Sequence, residues 1–427
     1  MTAASIFLLI LWFGAHGFII AVAFRLPGYR VGLVASAFML VMLFLLKPYT
    51  YDLKKYSIYF DTGYIETQGW KNPASLHPDG DVDFQLYQKD TTGDPFMGAY
   101  EYGFRKLAHL THEILPSGAL MPRIDPDYGD LKQRGPPRSD AAIIFIAIVG
   151  FGLLLSGVGL FSQRQPSAVV AENARWLLVS VVILGSIFFV LGSQNTLRQF
   201  LGFSLVLNAM ALASLRKYVL MLAILIASGL FHRWAPILGS ILVGIVLVSE
   251  MALAKGSLRE VRAFRPSHFE MLMFAFGCFL AIGIKLIAVF GLFNLDIPFV
   301  GELKPYLIKE GDHFALERLT VLKKAVLLGL LFLVSEVIVG KTNDLEFNKF
   351  RTLRRMSFLF IIPLALYSEV FSRVLVIFWL VELLFIIWAL SSNQLRSRLA
   401  GAAVFCAYGI APNAINVIIG PNWLYGF

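Results

Sequence analysis

The sequence predicts an all-α fold, a polytopic helical membrane protein, and three observations carry that expectation. Of its 427 residues 57% are hydrophobic and only 15% charged, where a soluble domain carries about 25%. The mean hydropathy is +0.71. Apolar stretches near the ~20 residues that a bilayer-crossing helix needs recur along the whole chain. Helices are the economical solution, because they satisfy every backbone group within one segment.

About twelve transmembrane segments are expected, at 5–24, 31–49, 141–161, 176–194, 197–215, 218–231, 236–254, 269–293, 319–339, 357–371, 374–390 and 399–419. Residues 1–427 read as a single membrane domain, with 50–140 a large loop inserted between the second and third segments. Ser5–Phe24 lacks a basic leader and a small-residue cleavage site, so it reads as a retained span. The segments around 197–231 are short for full crossings, as helices lining a cavity can be. The two cysteines, Cys278 and Cys406, both fall in apolar segments, and no disulfide framework is expected.

Lys and Arg mark the orientation. One set of alternate loops carries 17 of them, including Lys341, Lys349, Arg351, Arg354 and Arg355; the other short loops carry 6. The excess places the first set in the cytoplasm and both termini and the large loop outside. The net charge of +9 therefore reads as membrane topology, and nucleic acid is excluded as a partner.

Three arginines break that pattern: Arg198, Arg233 and Arg373 each stand at the outer end of a segment. Arginine does not shed its charge in hydrocarbon, so it needs water or an anionic partner. Arg198 and Gln199 open an apolar helix after Asn195 and Thr196, and a helix N-terminus beside a guanidinium suits phosphate. In "FHRWAP" His232 lies at the boundary between two segments, and Pro236 suits the first turn of the next. A histidine there can accept a proton, or stand with Trp234 in an aromatic belt. In "YSEVFSR" Glu369 and Arg373 are spaced i, i+4, so the carboxylate can orient the guanidinium. Lys285 lies in the outer part of its segment, Glu336 towards the inner end of its own, where anchoring is the simple reading, and Glu382 sits mid-segment with no evident partner.

Within the large loop, "YDLKKYSIYF" brings Asp52, Tyr56 and Phe60 onto one helical face. "AYEYGFRKLAHLTHEIL" is expected to form an amphipathic helix opening near Glu101, with Phe104, Leu107, Leu110, Ile114 and Leu115 as its apolar stripe and Arg105, His109 and Glu113 on another face. His109, His112 and Glu113 match no standard metal spacing. "DGDVDF" begins like a calcium loop, but Phe84 stands where glycine is needed. No metal and no cofactor are expected.

These pieces, taken in order, resemble the EpsG-like branch of Wzy-type bacterial polysaccharide polymerases. The resemblance rests on Asp52-x3-Tyr56 after the second segment, Glu101-x-Gly103-Phe104, Arg198-Gln199, Phe231-His232 and the late Arg373. It covers about residues 50 to 235 and the region near 370. Tyr102 stands where the family usually has proline, and Arg233 where it has a small residue.

The resemblance implies an enzyme of the bacterial inner membrane whose active site faces the periplasm. Its substrate would be oligosaccharide repeat units on undecaprenyl pyrophosphate, with the growing glycan passing to the non-reducing end of the next unit. A chain-length regulator protein is a candidate partner beside the lipid bilayer. Glycosyl–pyrophosphate cleavage puts negative charge on the leaving group, which Arg198, Gln199, Arg233 and Arg373 are suited to hold, with Arg105 and Lys285 in support. His232 is the first candidate base for the acceptor hydroxyl, with Glu101 and Asp52 next; Glu369 and Tyr56 would orient. Direct displacement would invert the sugar. A ligase or other lipid-linked glycosyltransferase would share the arginine–histidine logic. A flippase would share the cationic cavity but should show internal repeats, and none is evident.

Overall fold

The computed structural model describes residues 3–46, 102–115, 140–163, 172–193, 197–254, 266–289, 313–342, 344–366 and 368–410. Expectations for Asp52, Tyr56, Glu101, Asn195 and Thr196 lie outside the described residues. All described elements are helical. They are α1 (Ala3–Phe24), α2 (Tyr29–Leu46), α3 (Tyr102–Ile114), α4 (Asp140–Ser162), α5 (Glu172–Gly185), α6 (Ile187–Gly192) and α7 (Leu197–Ser214). There follow α8 (Tyr218–Phe231), α9 (Trp234–Ala254), α10 (His268–Val289), α11 (His313–Val339), α12 (Leu345–Ile361), a 3-10 turn (Ile362–Leu366), α13 (Ser368–Ser391) and α14 (Leu395–Ile410). Among them, six (α1, α2, α4, α7, α9 and α13) are long and apolar enough to cross a membrane. The chain is thus a helical membrane protein by length and composition.

Two expected segments take a different form. The segment at 176–194 is broken at Ser186, whose backbone is extended and whose hydroxyl caps the Phe189 amide at 3.1 Å. A serine oxygen competes well for a backbone amide, so the ladder restarts there. The segment expected at 357–371 covers the end of α12, the 3-10 turn and the start of α13. Pro363 lacks the amide that the α-helical ladder requires, and the helix tightens and stops around it.

Four of the six connections that carry the Lys and Arg excess come together. Arg25 donates to the Ser392 carbonyl at 3.3 Å, Arg398 to that of Ala23 at 2.7 Å, and Ser392 to Asp344 at 2.8 Å. Lys349 donates to Ser214 at 2.9 Å. Four sequence-distant connections thus share one end of the bundle, here termed the basic end.

The core is built around α7, α12 and α13. α7 packs on α4, α8 and α9; α12 on α9, α10 and α13; and α1, α2, α5 and α14 close one side. Peripheral helices leave apolar side chains bare, among them Val34 and Phe38 on α2 and Phe279 on α10, as lipid-facing surfaces do.

The helix α12 corrects the expectation for Lys349, Arg351, Arg354 and Arg355. They do not sit in a solvated loop; they line a helix buried on all sides. Each cation meets a carboxylate from a different helix or shares one. Arg351 contacts Glu336 of α11 at 2.8 Å, and Arg354 contacts Glu382 of α13 at 2.8 Å. Arg355 contacts Glu270 of α10 at 2.8 Å, and Lys349 pairs with Glu250 of α9. Glu336 also lies 3.8 Å from Arg354 and 3.7 Å from Arg355, so it serves three guanidinium groups. Glu336 is therefore an interior counter-ion and not an anchor at the surface, and the partner of Glu382 is Arg354. Aromatic faces complete the lining: Arg354 lies 4.2 Å from the Phe385 ring centroid and 5.0 Å from that of Phe332. The loop excess of Lys and Arg survives removal of these four from it.

Breaking such a pair leaves a charge in an apolar interior, at about 3–5 kcal/mol, whereas replacing both partners with apolar residues is often neutral. Glu382→Leu is accordingly expected to lower the unfolding temperature of the purified protein sharply, and Arg354→Met with Glu382→Leu to recover most of it. A double variant as unstable as the single one would show that pairing is not what the site supplies.

Candidate functional site

The end opposite the basic end holds the outlying arginines. Arg198 is the second residue of α7 and is half-buried, as are Gln199 and Arg233. His232 is 7% exposed and joins α8 to α9. Its amide donates to Ser228, its carbonyl accepts from Ala235 at 2.9 Å, and the backbone between is extended, so two helices meet in a two-residue corner. Pro236 falls within the first turn of α9, where its missing amide costs nothing. The His232 ring lies 6.3 Å from that of Phe203 on α7.

Helix registers place these groups at one depth. Ser214 of α7, Glu250 of α9 and Lys349 of α12 meet at the basic end. At 1.5 Å per residue, Arg198 stands about 24 Å along α7 from Ser214, and Arg233 about 25 Å along α9 from Glu250. Arg354, five residues beyond Lys349, pairs with Glu382, nine residues from Arg373; the two steps put Arg373 about 21 Å from the same plane. Lys285 lies near the far end of α10. The helices also adjoin: α6 packs against both α7 and α13, and so does α9. At the level of the backbone, Arg198, Arg233 and Arg373 come to one end of one bundle on neighbouring helices. The side chains of Arg105, Lys285, Glu369 and Arg373 lie outside the described residues, although α3, α10 and α13 carry their backbones.

The amphipathic helix joins this end. α3 begins at Tyr102, and Phe104, 1% exposed, packs among Ala142, Ile143 and Ile146 of α4 and Leu197 and Leu201 of α7. Phe231 borders the same cluster. Three separate pieces of the sequence pattern, Gly103-Phe104, Arg198-Gln199 and Phe231-His232, are therefore brought into one neighbourhood. The expected stripe divides, however. Phe104, Leu107 and Leu115 face the bundle, whereas Leu110 and Ile114 are exposed, because the helix rests on one side of its apolar face only.

The far end is stepped. Gly150 of α4 faces Phe200 of α7, and Gly157 faces Leu207, so the two helices run parallel with a constant offset of fifty residues. Leu197 is then level with residue 147, and α4 rises a further seven residues, about 10 Å, beyond the start of α7. α3 occupies that step. Gly103 makes the fit possible, since a Cβ there would stand 2.9 Å from Leu230 Cβ and 3.2 Å from the Leu230 carbonyl oxygen.

The sequence reading missed the interior cations of α12. The signal was present: Phe347, Phe350, Leu353 and Phe358 recur at helical spacing through the basic run, and Glu336 and Glu382 were carboxylates in want of cations. That network is internally balanced, four cations against four carboxylates, and it has the character of a scaffold.

Compared with protein-family models, with curated proteins and with solved structures, the chain matches none.

Gly103→Leu is expected to lift α3 from Leu230. Amide exchange across Phe104–Ile114 should rise about tenfold or more, while the bundle keeps its protection. Unaltered exchange would show that α3 is not seated through this contact.

Proposed function

We propose that the protein is an inverting glycosyltransferase that polymerises lipid-linked glycan, moving the growing chain from undecaprenyl pyrophosphate onto the next repeat unit. What supports the reading most is one arrangement: Arg198, Arg233 and Arg373 at a common depth on adjoining helices, with buried His232 at the same corner. In this reading α5 with α6, and α12 with its 3-10 turn, each make one crossing. The described helices other than α3 then give twelve crossings, and both termini lie on the side of the large loop. The far end is the periplasmic face of a bacterial inner membrane.

The chemistry follows from charge. The bond between the anomeric carbon and the pyrophosphate oxygen breaks as the acceptor hydroxyl attacks from the opposite face. Negative charge grows on the leaving pyrophosphate, where fixed guanidinium groups stabilise the transition state more than the ground state. Pyrophosphate leaves well, so no protein acid is required. The acceptor proton goes to His232, or to Glu101 or Asp52 of the large loop. One displacement inverts the sugar. In this reading Gln199 belongs to the anion site, and the resemblance assigns supporting roles to Lys285 and Arg105 and orienting roles to Glu369 and Tyr56. A chain-length regulator would act from the same side.

Arg198→Ala and Arg373→Ala are expected to abolish chain extension with the protein still accumulating in the membrane, and His232→Ala to reduce it severely. The surface-glycan ladder of a deletion strain carrying each variant reads this directly. Loss of polymerisation leaves single capped units, whereas loss of a ligase leaves none. Normal ladders from both arginine variants would refute the assignment.

A further inference from the structure

Helix α8 is built unlike its neighbours. It packs against α7 and α9, and Leu230 in its last turn meets Gly103 of α3. The rest is bare: Val219, Leu220, Leu222, Ile226 and Leu230 are exposed, with Val219 the most exposed at 84%. It is also short. Fourteen residues rise about 21 Å, against a hydrocarbon core near 30 Å. Its far end, where His232 and Arg233 stand, therefore falls inside the bilayer's thickness. The step between α4 and α7 agrees with this, since Arg198 lies about 12 Å below the start of α4. Over this recess lies α3, with Gly103 on Leu230 and Phe104 wedged between α4 and α7. A bare apolar ridge thus runs from the basic end to half-buried guanidinium groups that are set below the surface and flanked by a seated helix.

We infer that the arginine site is reached sideways from the bilayer, and that the exposed face of α8 carries the hydrocarbon chain of the lipid phosphate whose headgroup Arg198 and Arg233 hold. The inference rests on the function proposed above and adds the docking surface for the carrier's tail. Charge and apolar surface are continuous in this direction: the cations stand at the end of the ridge, and Leu230, in its last turn, meets Gly103 of α3 and is itself exposed. A phosphate borne on a lipid arrives already at that depth. Ile226 and Leu222 lie one and two turns below Leu230 and read the segment of chain next to the headgroup. They take no part in the displacement itself.

The test uses the full chain in lipid nanodiscs. A photoreactive benzoylphenylalanine is placed at Ile226, and at Val34 on the bare face of α2 as control. A radiolabelled undecaprenyl pyrophosphate is then added, with excess unlabelled lipid or inorganic pyrophosphate as competitor. Labelling at 226 at least ~10-fold above that at 34, competed by the unlabelled lipid and weakened by Arg198→Ala, is the expected result. Equal labelling at both positions would mean bulk lipid alone covers α8, and cross-linking to a second copy would make the face a subunit contact; either overturns the inference. So would competition by inorganic pyrophosphate with no loss when the lipid chain is removed. In the activity arm, Ile226→Trp is expected to lower extension about tenfold with the full-length carrier and to leave it unchanged with a two-isoprene carrier. Equal losses on both carriers would also overturn it. Unsubstituted protein that extends neither substrate sinks the polymerase reading instead, and the labelling arm still decides the role of α8.

Discussion

The constraint on which the rest depends is the neutralisation of α12. An unpaired cation costs on the order of 3 kcal/mol at the middle of a bilayer, and α12 buries Arg351, Arg354 and Arg355 in one stretch, with Lys349 a turn nearer the basic end. The molecule meets that cost with carboxylates drawn from α9, α10, α11 and α13. Each of those helices is thereby fixed in rotation, because a glutamate must face inward at a set height. The pairs do more to specify the arrangement than to stabilise it, since an apolar replacement of both members would pack as well.

That fixing of heights is transmitted to the opposite end. Ser214, Glu250 and Lys349 meet in one plane, and Arg354 ties Glu382 to the same frame. Once those four levels are set, helix rise alone determines where Arg198, Arg233 and Arg373 stand. The two polar regions are consequently of different kinds. The interior one is closed, balanced and clad in aromatic rings. The far-end one is cationic and half-buried, stands at a corner between helices, and borders both a seated amphipathic helix and an uncovered ridge.

The short helices acquire a reason in this view. α8 is too short to reach the far surface, and α7 starts a step lower than α4. In the proposed reading both shortfalls set Arg198, Arg233 and His232 into the membrane's depth, where an anion or water stabilises a guanidinium. α3 fits the step because Gly103 permits backbone contact with Leu230.

Much of this was legible in the sequence. Apolar length gave the helices, since hydrocarbon leaves the backbone no other partner. Alternating Lys and Arg gave the sorting of the loops into two ends, and the outlying Arg198, Arg233 and Arg373 announced a shared depth. Other features were decided only by tertiary structure. The basic run at 349–355 has the charge of a cytoplasmic loop; the interleaved Phe347, Phe350, Leu353 and Phe358 mark a helix, but nothing local says where its cations find partners. Its carboxylate partners lie between 15 and 99 positions away in the chain, and long-range pairing leaves no mark on local periodicity. The same holds for α3: its apolar stripe was plain, but which half of it would be covered depended on the step that α4 and α7 make together. Local chemistry determined which segments are helices and which end they face; the pairing of charges across helices determined how deep each one sits.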